Sequence, residues 1–128
     1  METYNITLSE KQLQVYRDAL EFYSRFLSGQ IEESSLPPVL RCSEYNKDEL
    51  RESLKKVKSI IFPELLENQY YGIGWNGKPL SEQRQVAYEM YREVYVYHTR
   101  LSGVDYSCYN SPTLKYSNEP LAEVKVNP

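Results

Sequence analysis

Apolar residues recur at spacings of three and four in three separate stretches of the chain, which predicts three amphipathic helices. In the first, Leu13, Tyr16, Leu20, Tyr23 and Leu27 share one face, and Ser9 and Gln12 have the spacing of a capping box. Gly29 is a natural stop, although Gln30-Ile31-Glu32-Glu33 can carry the helix on. The second is capped by Asn46, with Glu49 three residues later, and its stripe is Leu50, Leu54, Val57 and Ile61. Arg51, Glu52, Lys55, Lys56 and Lys58 lie mainly on its other faces and read as solvated surface. Ser81 is expected to cap a third helix that runs to about Ser102 and stops at Gly103.

The connecting stretches are equally legible. Tyr4, Ile6 and Leu8 alternate, as in a short strand or an extended arm. Residues 34–45 read as a loop because Pro37 and Pro38 forbid helix there. Residues 67–80 are irregular and glycine-rich, with a turn signal at Asn76-Gly77. In the tail, Thr113–Tyr116 and Leu121–Val126 are expected to pair as a hairpin around Ser117-Asn118-Glu119-Pro120, or to form an extended arm that wraps a neighbouring subunit. The expected fold is mainly α, with some α+β character. It is a single domain over 1–128, with an arm at 1–8, a helical core at 9–103 and an extended tail at 104–128.

The third helix has an unusual wheel. At 100° per residue, Val86, Tyr97, Met90, Leu101, Val94 and Ala87 fall within roughly 100° of arc, and His98, Tyr91, Tyr95 and Tyr88 fill about the next 100°. Glu82, Glu89, Arg92, Glu93 and Arg100 take most of the remainder. A helix packed on one side needs an apolar stripe of roughly 100°, and here the arc is about twice that. The aliphatic half is expected to face the core. The tyrosine half needs a second partner: the tail or glycine loop folded over it, another copy of the chain, or a ligand. A homo-oligomer is the expectation drawn from this arc.

Composition narrows the function. With 128 residues and a formal charge of −3, the chain fits one compact domain and lacks the basic balance of a general nucleic-acid binder. No apolar run approaches the roughly 18 to 20 residues of a membrane span, so no membrane association is expected. The start METYNITLSEKQ has neither the basic beginning nor the apolar core of a secretion signal. Cys42 and Cys108 stand far apart and form no CxxC pair, so free thiols in a reducing cytoplasm are expected. Thirteen Tyr against 3 Phe and 1 Trp favour half-wet sites, where a ring packs and a hydroxyl meets water.

The candidate binding residues form three groups. Tyr70, Tyr71, Gly72, Gly74, Trp75 and Lys78 belong to the glycine loop, where backbone can approach a ligand closely, rings can stack on a base and the lysine can meet a phosphate. The loop is neither GxGxxG nor a Walker loop, and an ordinary turn whose rings cap the core explains it too. Arg84, Tyr88, Tyr91 and Arg92 give the third helix an Arg/Tyr surface suited to anions, rings or a protein interface. Arg25 and Gln30 close the first helix, where the helix dipole and the exposed carbonyls account for them as readily as a ligand does. His98, the only histidine, has no nucleophile tied to it by spacing, and the acids form no paired-carboxylate or metal-ligand motif. No catalytic residue, metal or cofactor is expected, and the chain reads as a non-enzyme.

Three motifs carry a resemblance. The helix end with Tyr23, Ser24, Arg25, Gly29, Gln30, Glu32 and Glu33, the YGIG of Tyr71 to Gly74, and Ala87 to Arg92 resemble a group of small bacteriophage and prophage proteins. The similarity covers about half the chain. It implies a small cytoplasmic, oligomeric protein of an infected bacterium, in a class that includes proteins sequestering the nucleotide signals of bacterial immunity. Its expected partner is a small nucleotide-like molecule. The alternative is an interaction module that inhibits a host defence protein through its tyrosine-rich surface.

Overall fold

A computed structural model of the chain describes residues 2–31, 46–76, 80–102 and 113–127. They form three helices, α1 (Glu10–Leu27), α2 (Lys47–Ile61) and α3 (Ser81–Ser102), and no strand. The mainly α expectation is met. The expectations at Pro37-Pro38, Cys42, Lys78, Gly103 and Cys108 lie outside the described residues.

Each end of α1 is closed by its own sequence. Ser9 Oγ accepts from the Gln12 N–H at 3.2 Å, and the Gln12 side chain accepts from the Ser9 N–H at 2.9 Å. This reciprocal box satisfies two of the free N–H groups at the helix start. At the other end Gly29 takes φ 84°, the Gly29 N–H donates to the Phe26 carbonyl and the Gln30 N–H donates to the Arg25 carbonyl, both at 3.0 Å. That pair of bonds is a Schellman closure, so α1 stops instead of continuing through Gln30. Asn46 caps α2 by accepting from the Glu49 N–H at 3.0 Å. At α3 the helix begins one residue earlier than expected. Ser81 lies inside it, and Leu80, at φ 43°, holds the cap position and accepts the Arg84 N–H at 3.0 Å.

α1 packs antiparallel on α3, and side-chain pairs along the seam give the register. Glu10 lies beside His98, Glu21 accepts from the Tyr95 hydroxyl at 3.2 Å, and the Ser24 hydroxyl reaches the Arg84 carbonyl at 3.4 Å. The expected face of α1 turns inward at Leu13, Tyr16, Leu20 and Leu27, which are buried or half-buried. Tyr23 alone of that face is exposed, and Ser24 beside it is buried. α2 is tied in near its C-terminal end. Phe62, Ile31 and Tyr71 form a small core with Phe26, Leu54 and Leu65 packed against it.

Two expectations about solvated faces are corrected. Lys58, read as surface, is buried, because residues 62–71 fold back over the side of α2 carrying Leu54, Lys58 and Phe62. Its ammonium donates to the Gln69 carbonyl at 2.6 Å. Val57 and Ile61, read as buried, are exposed. On α3, Glu89 and Arg92, placed on the polar side, are buried as well.

The expected tail hairpin does not form. Residues 113–127 carry no strand, and the N–H groups of Tyr116 and Ser117 donate to Glu89 instead of to a partner strand. Residues 2–8 likewise form no strand and are exposed. Among the described residues no helix is long and apolar enough to cross a membrane.

Gly29 combines a left-handed φ with a contact that an added methyl would make with the Leu65 side chain. Gly29→Ala is expected to destabilise the chain by about 1–3 kcal/mol, read as a lowered denaturant midpoint with an unchanged slope.

Candidate functional site: an aromatic loop anchored by a buried arginine

The glycine loop lies against the first turns of α3 and is shaped by two of its side chains. Arg84 is 0% exposed. Its Nη1 donates to the Gly72 carbonyl at 2.8 Å, with the Tyr71 carbonyl at 3.5 Å, and its Nη2 donates to the Trp75 carbonyl at 2.6 Å. Its Nε is buried with no hydrogen-bond partner among the described residues. Gln85 Nε2 adds bonds to the Ile73 carbonyl at 3.1 Å and to Asn76 Oδ1 at 2.8 Å. An irregular loop has no ladder to satisfy its carbonyls, and these two side chains serve instead. Burial pulls the Arg84 guanidinium down from its ordinary pKa, and the Tyr71 ring, 5.7 Å from its carbon, partly offsets this.

The loop presents its rings in fixed positions. Tyr71 is buried, edge-on to Phe62 at 6.1 Å, with its hydroxyl donating to the Glu64 carboxylate and its N–H donating to the Ser28 carbonyl at 2.8 Å. Burial, and secondarily Glu64, push its hydroxyl up to about 12. Trp75 stacks on Tyr71 at 4.7 Å and 14°, and it remains 50% exposed. Tyr70 is 57% exposed. The result is a preorganised aromatic ledge, with the loop backbone pinned from below.

A second group gathers where α1 ends beside the middle of α3. Arg25 donates to Glu21 Oε1 and to Gln30 Oε1, both at 3.0 Å. Tyr91 lies between Tyr88 and Tyr95, edge-to-face with each at 5.5 Å. Its hydroxyl is pushed up to about 12, first by burial and then by Glu21 and Tyr88, against the opposing charges of Arg25 and Arg92. Arg17 covers the Tyr95 ring at 5.0 Å. The tyrosine arc of α3 is therefore covered from within the chain, by α1 and by Tyr116 of the tail, 6.4 Å from Tyr88.

Of the residues singled out from sequence, the loop group of Tyr70, Tyr71, Gly72, Gly74 and Trp75 comes together around Arg84. Arg25, Gln30, Tyr88, Tyr91 and Arg92 gather in the second group. Lys78 lies outside the described residues. Arg84 is buried beneath the loop, with both terminal nitrogens committed to loop carbonyls. Sequence reasoning missed Tyr116, whose ring lies over Gly74 and beside Tyr88, and Glu89, Gln85 and Glu64, which bind loop and tail. No local spacing reveals them, because their partners are between 7 and 28 residues away. His98 Nε2 lies 3.3 Å from Glu10 Oε1. Among the described residues no group of three or more His, Cys, Asp or Glu is placed to hold a metal.

No family model matches the chain, and neither the curated proteins nor the solved structures contain a match to it.

Arg84→Met keeps the aliphatic stem and removes the donors to the loop. It is expected to lower stability by about 3 kcal/mol and to shift Trp75 emission, with both read in one denaturation series. Tyr71 and Tyr91 bind their protons more tightly folded than unfolded. Their contribution is thus fully present below pH 10 and lost as pH rises toward about 12. Unfolding stability is expected to fall across that window, and Tyr91→Phe is expected to flatten the fall.

Proposed function

We propose that this chain works by binding rather than by catalysis, sequestering a small nucleotide-like signalling molecule of bacterial immunity. The observation that carries this reading is the Tyr71–Trp75 stack, half exposed beside Tyr70 on a loop pinned by buried Arg84. A rigid π-surface binds a base without first paying to order itself, and each stacked base adds about 1–3 kcal/mol. With Arg84 committed to the loop, the proposal assigns the phosphate to Lys78, three residues along the chain from Trp75. The phage-protein resemblance supplies the biological setting. The net charge of −3 speaks against long nucleic acids and leaves room for one small anion.

A homo-oligomeric assembly belongs to the same proposal. Its support is no longer the wide tyrosine arc, which the chain covers itself. It is the exposure of Tyr4, Ile6 and Val15 along the arm and α1. A second reading, inhibition of a host defence protein, is favoured by the exposed Ile60, Ile61 and Leu66 at the far end of α2. Tyr88, Tyr91 and Tyr95 are largely occupied within the chain and are less suited to that role.

Trp75 is the only tryptophan, so its emission reports on the ledge alone. Titration with mono-, di- and cyclic nucleotides is expected to quench it saturably with one class. At about 100 times the dissociation constant, that class adds about 2.7 kcal/mol and raises the melting midpoint by several degrees. Trp75→Ala is expected to weaken binding about tenfold or more while leaving the fold intact. A flat titration, together with a monomer mass by light scattering, would overturn both parts of the proposal.

A further inference from the structure

Glu89 is a carboxylate in the interior of the fold, 3% exposed, on the middle of α3. Its oxygens accept from the Tyr116 N–H at 2.7 Å, the Ser117 N–H at 2.7 Å and the Ser117 hydroxyl at 2.6 Å. The hydrogen bonds described between the tail and the helices thus converge on one side chain. Of the rest of the segment, Thr113 is buried and most other residues are exposed. Leu114 is exposed, and so are Asn118, Glu119 and Pro120. The one ring of the segment is that of Tyr116, 38% exposed, which lies beside Tyr88 and over Gly74, where an added Cβ would stand 3.1 Å from Tyr116 Cε1. Gly74 directly precedes Trp75 in the loop, so a change at this contact acts one residue from the indole.

A partly exposed ring thus lies against a tyrosine and a glycine, while the backbone N–H groups and the hydroxyl next to it bind a buried carboxylate. An ionised carboxylate only accepts, so whatever takes their place must present donors to both oxygens. We infer that Tyr116 and Ser117 are an intramolecular stand-in for a guanine base, and that binding a guanine nucleotide releases the tail from Glu89. The inference rests on the nucleotide-binding reading above and names the base. Guanine places its ring N1–H beside its 2-amino group, two donors on one edge that match the two oxygens of Glu89. Adenine places an acceptor beside its amino group, and that acceptor would face the carboxylate. The ring would take the place of Tyr116 against Gly74 and Tyr88.

The full chain tests this with GMP, IMP and AMP and two readouts. Trp75 emission reports occupation of the ledge. Tryptic cleavage after Lys115, followed by mass, reports release of the tail, since in the docked state the Lys115 ammonium donates to the Ser117 carbonyl at 2.8 Å. GMP is expected to quench and to speed cleavage severalfold. IMP, which lacks the 2-amino donor, is expected to do so at about tenfold higher concentration. AMP is expected to leave cleavage unchanged. Tyr116→Ala removes the competing ring and is expected to tighten GMP binding, whereas a merely structural Tyr116 would weaken it on removal. Glu89→Gln is expected to abolish the preference for GMP over AMP. Quenching by GMP and AMP alike with no release of the tail would overturn this inference and leave the ledge reading standing. No quenching by any nucleotide would overturn both.

Discussion

A guanidinium cannot be taken out of water unless its donors find acceptors, and Arg84 finds them in the carbonyls of the glycine loop. The loop in turn has no ladder of its own and needs those donors. Each half solves the other's desolvation problem, and the rest of the structure follows from that exchange. It sets the path of residues 71–76 over the start of α3. It places the Tyr71 ring under Trp75 and leaves half of the indole in solvent. On the α1 side, the Ser24 hydroxyl donates to the Arg84 carbonyl.

The same logic recurs at Glu89 and Lys58. Both are charged, both sit on the inner side of a helix, and both bind backbone groups of an irregular segment. Glu89 accepts from the tail N–H groups, whereas Lys58 donates to a carbonyl of the 62–71 turn. The three helices thus act as a frame whose buried polar side chains fasten the non-helical chain. The Trp75 loop is fastened by several side-chain bonds, and Tyr116 and Ser117 by one carboxylate; in the proposed reading the first is the binding surface and the second the part that detaches. Rigidity favours recognition of a planar ring, because little order has to be created on binding.

Local signals in the sequence were sufficient for the elements. The Ser9 and Gln12 box, the Asn46 cap and the Gly29 stop act within four residues of the helix ends, and each operates as its spacing implies. The clustering of Tyr70 to Trp75 was legible too, since neighbours in a short loop stay neighbours in space. Which face turned inward was legible for α1 and for the aliphatic half of α3, but not for the C-terminal half of α2, where Val57 and Ile61 are exposed. Periodicity locates apolar stripes, yet it does not foretell that Ser24, Lys58 and Glu89 are buried as well. A buried polar residue is stable only against a particular partner, and none of these partners lies within the residue's own turn of helix.

The amino-acid sequence by itself therefore determined the helices, their caps and the aromatic character of the loop, because those depend on interactions between residues close along the chain. Tertiary structure alone decided that Arg84 anchors the loop from beneath, that Glu89 takes the N–H groups of Tyr116 and Ser117, and that the Tyr116 ring lies over Gly74. Those outcomes turn on contacts across many residues of chain, where the geometry of packing, rather than local spacing, determines which acceptor a buried donor meets.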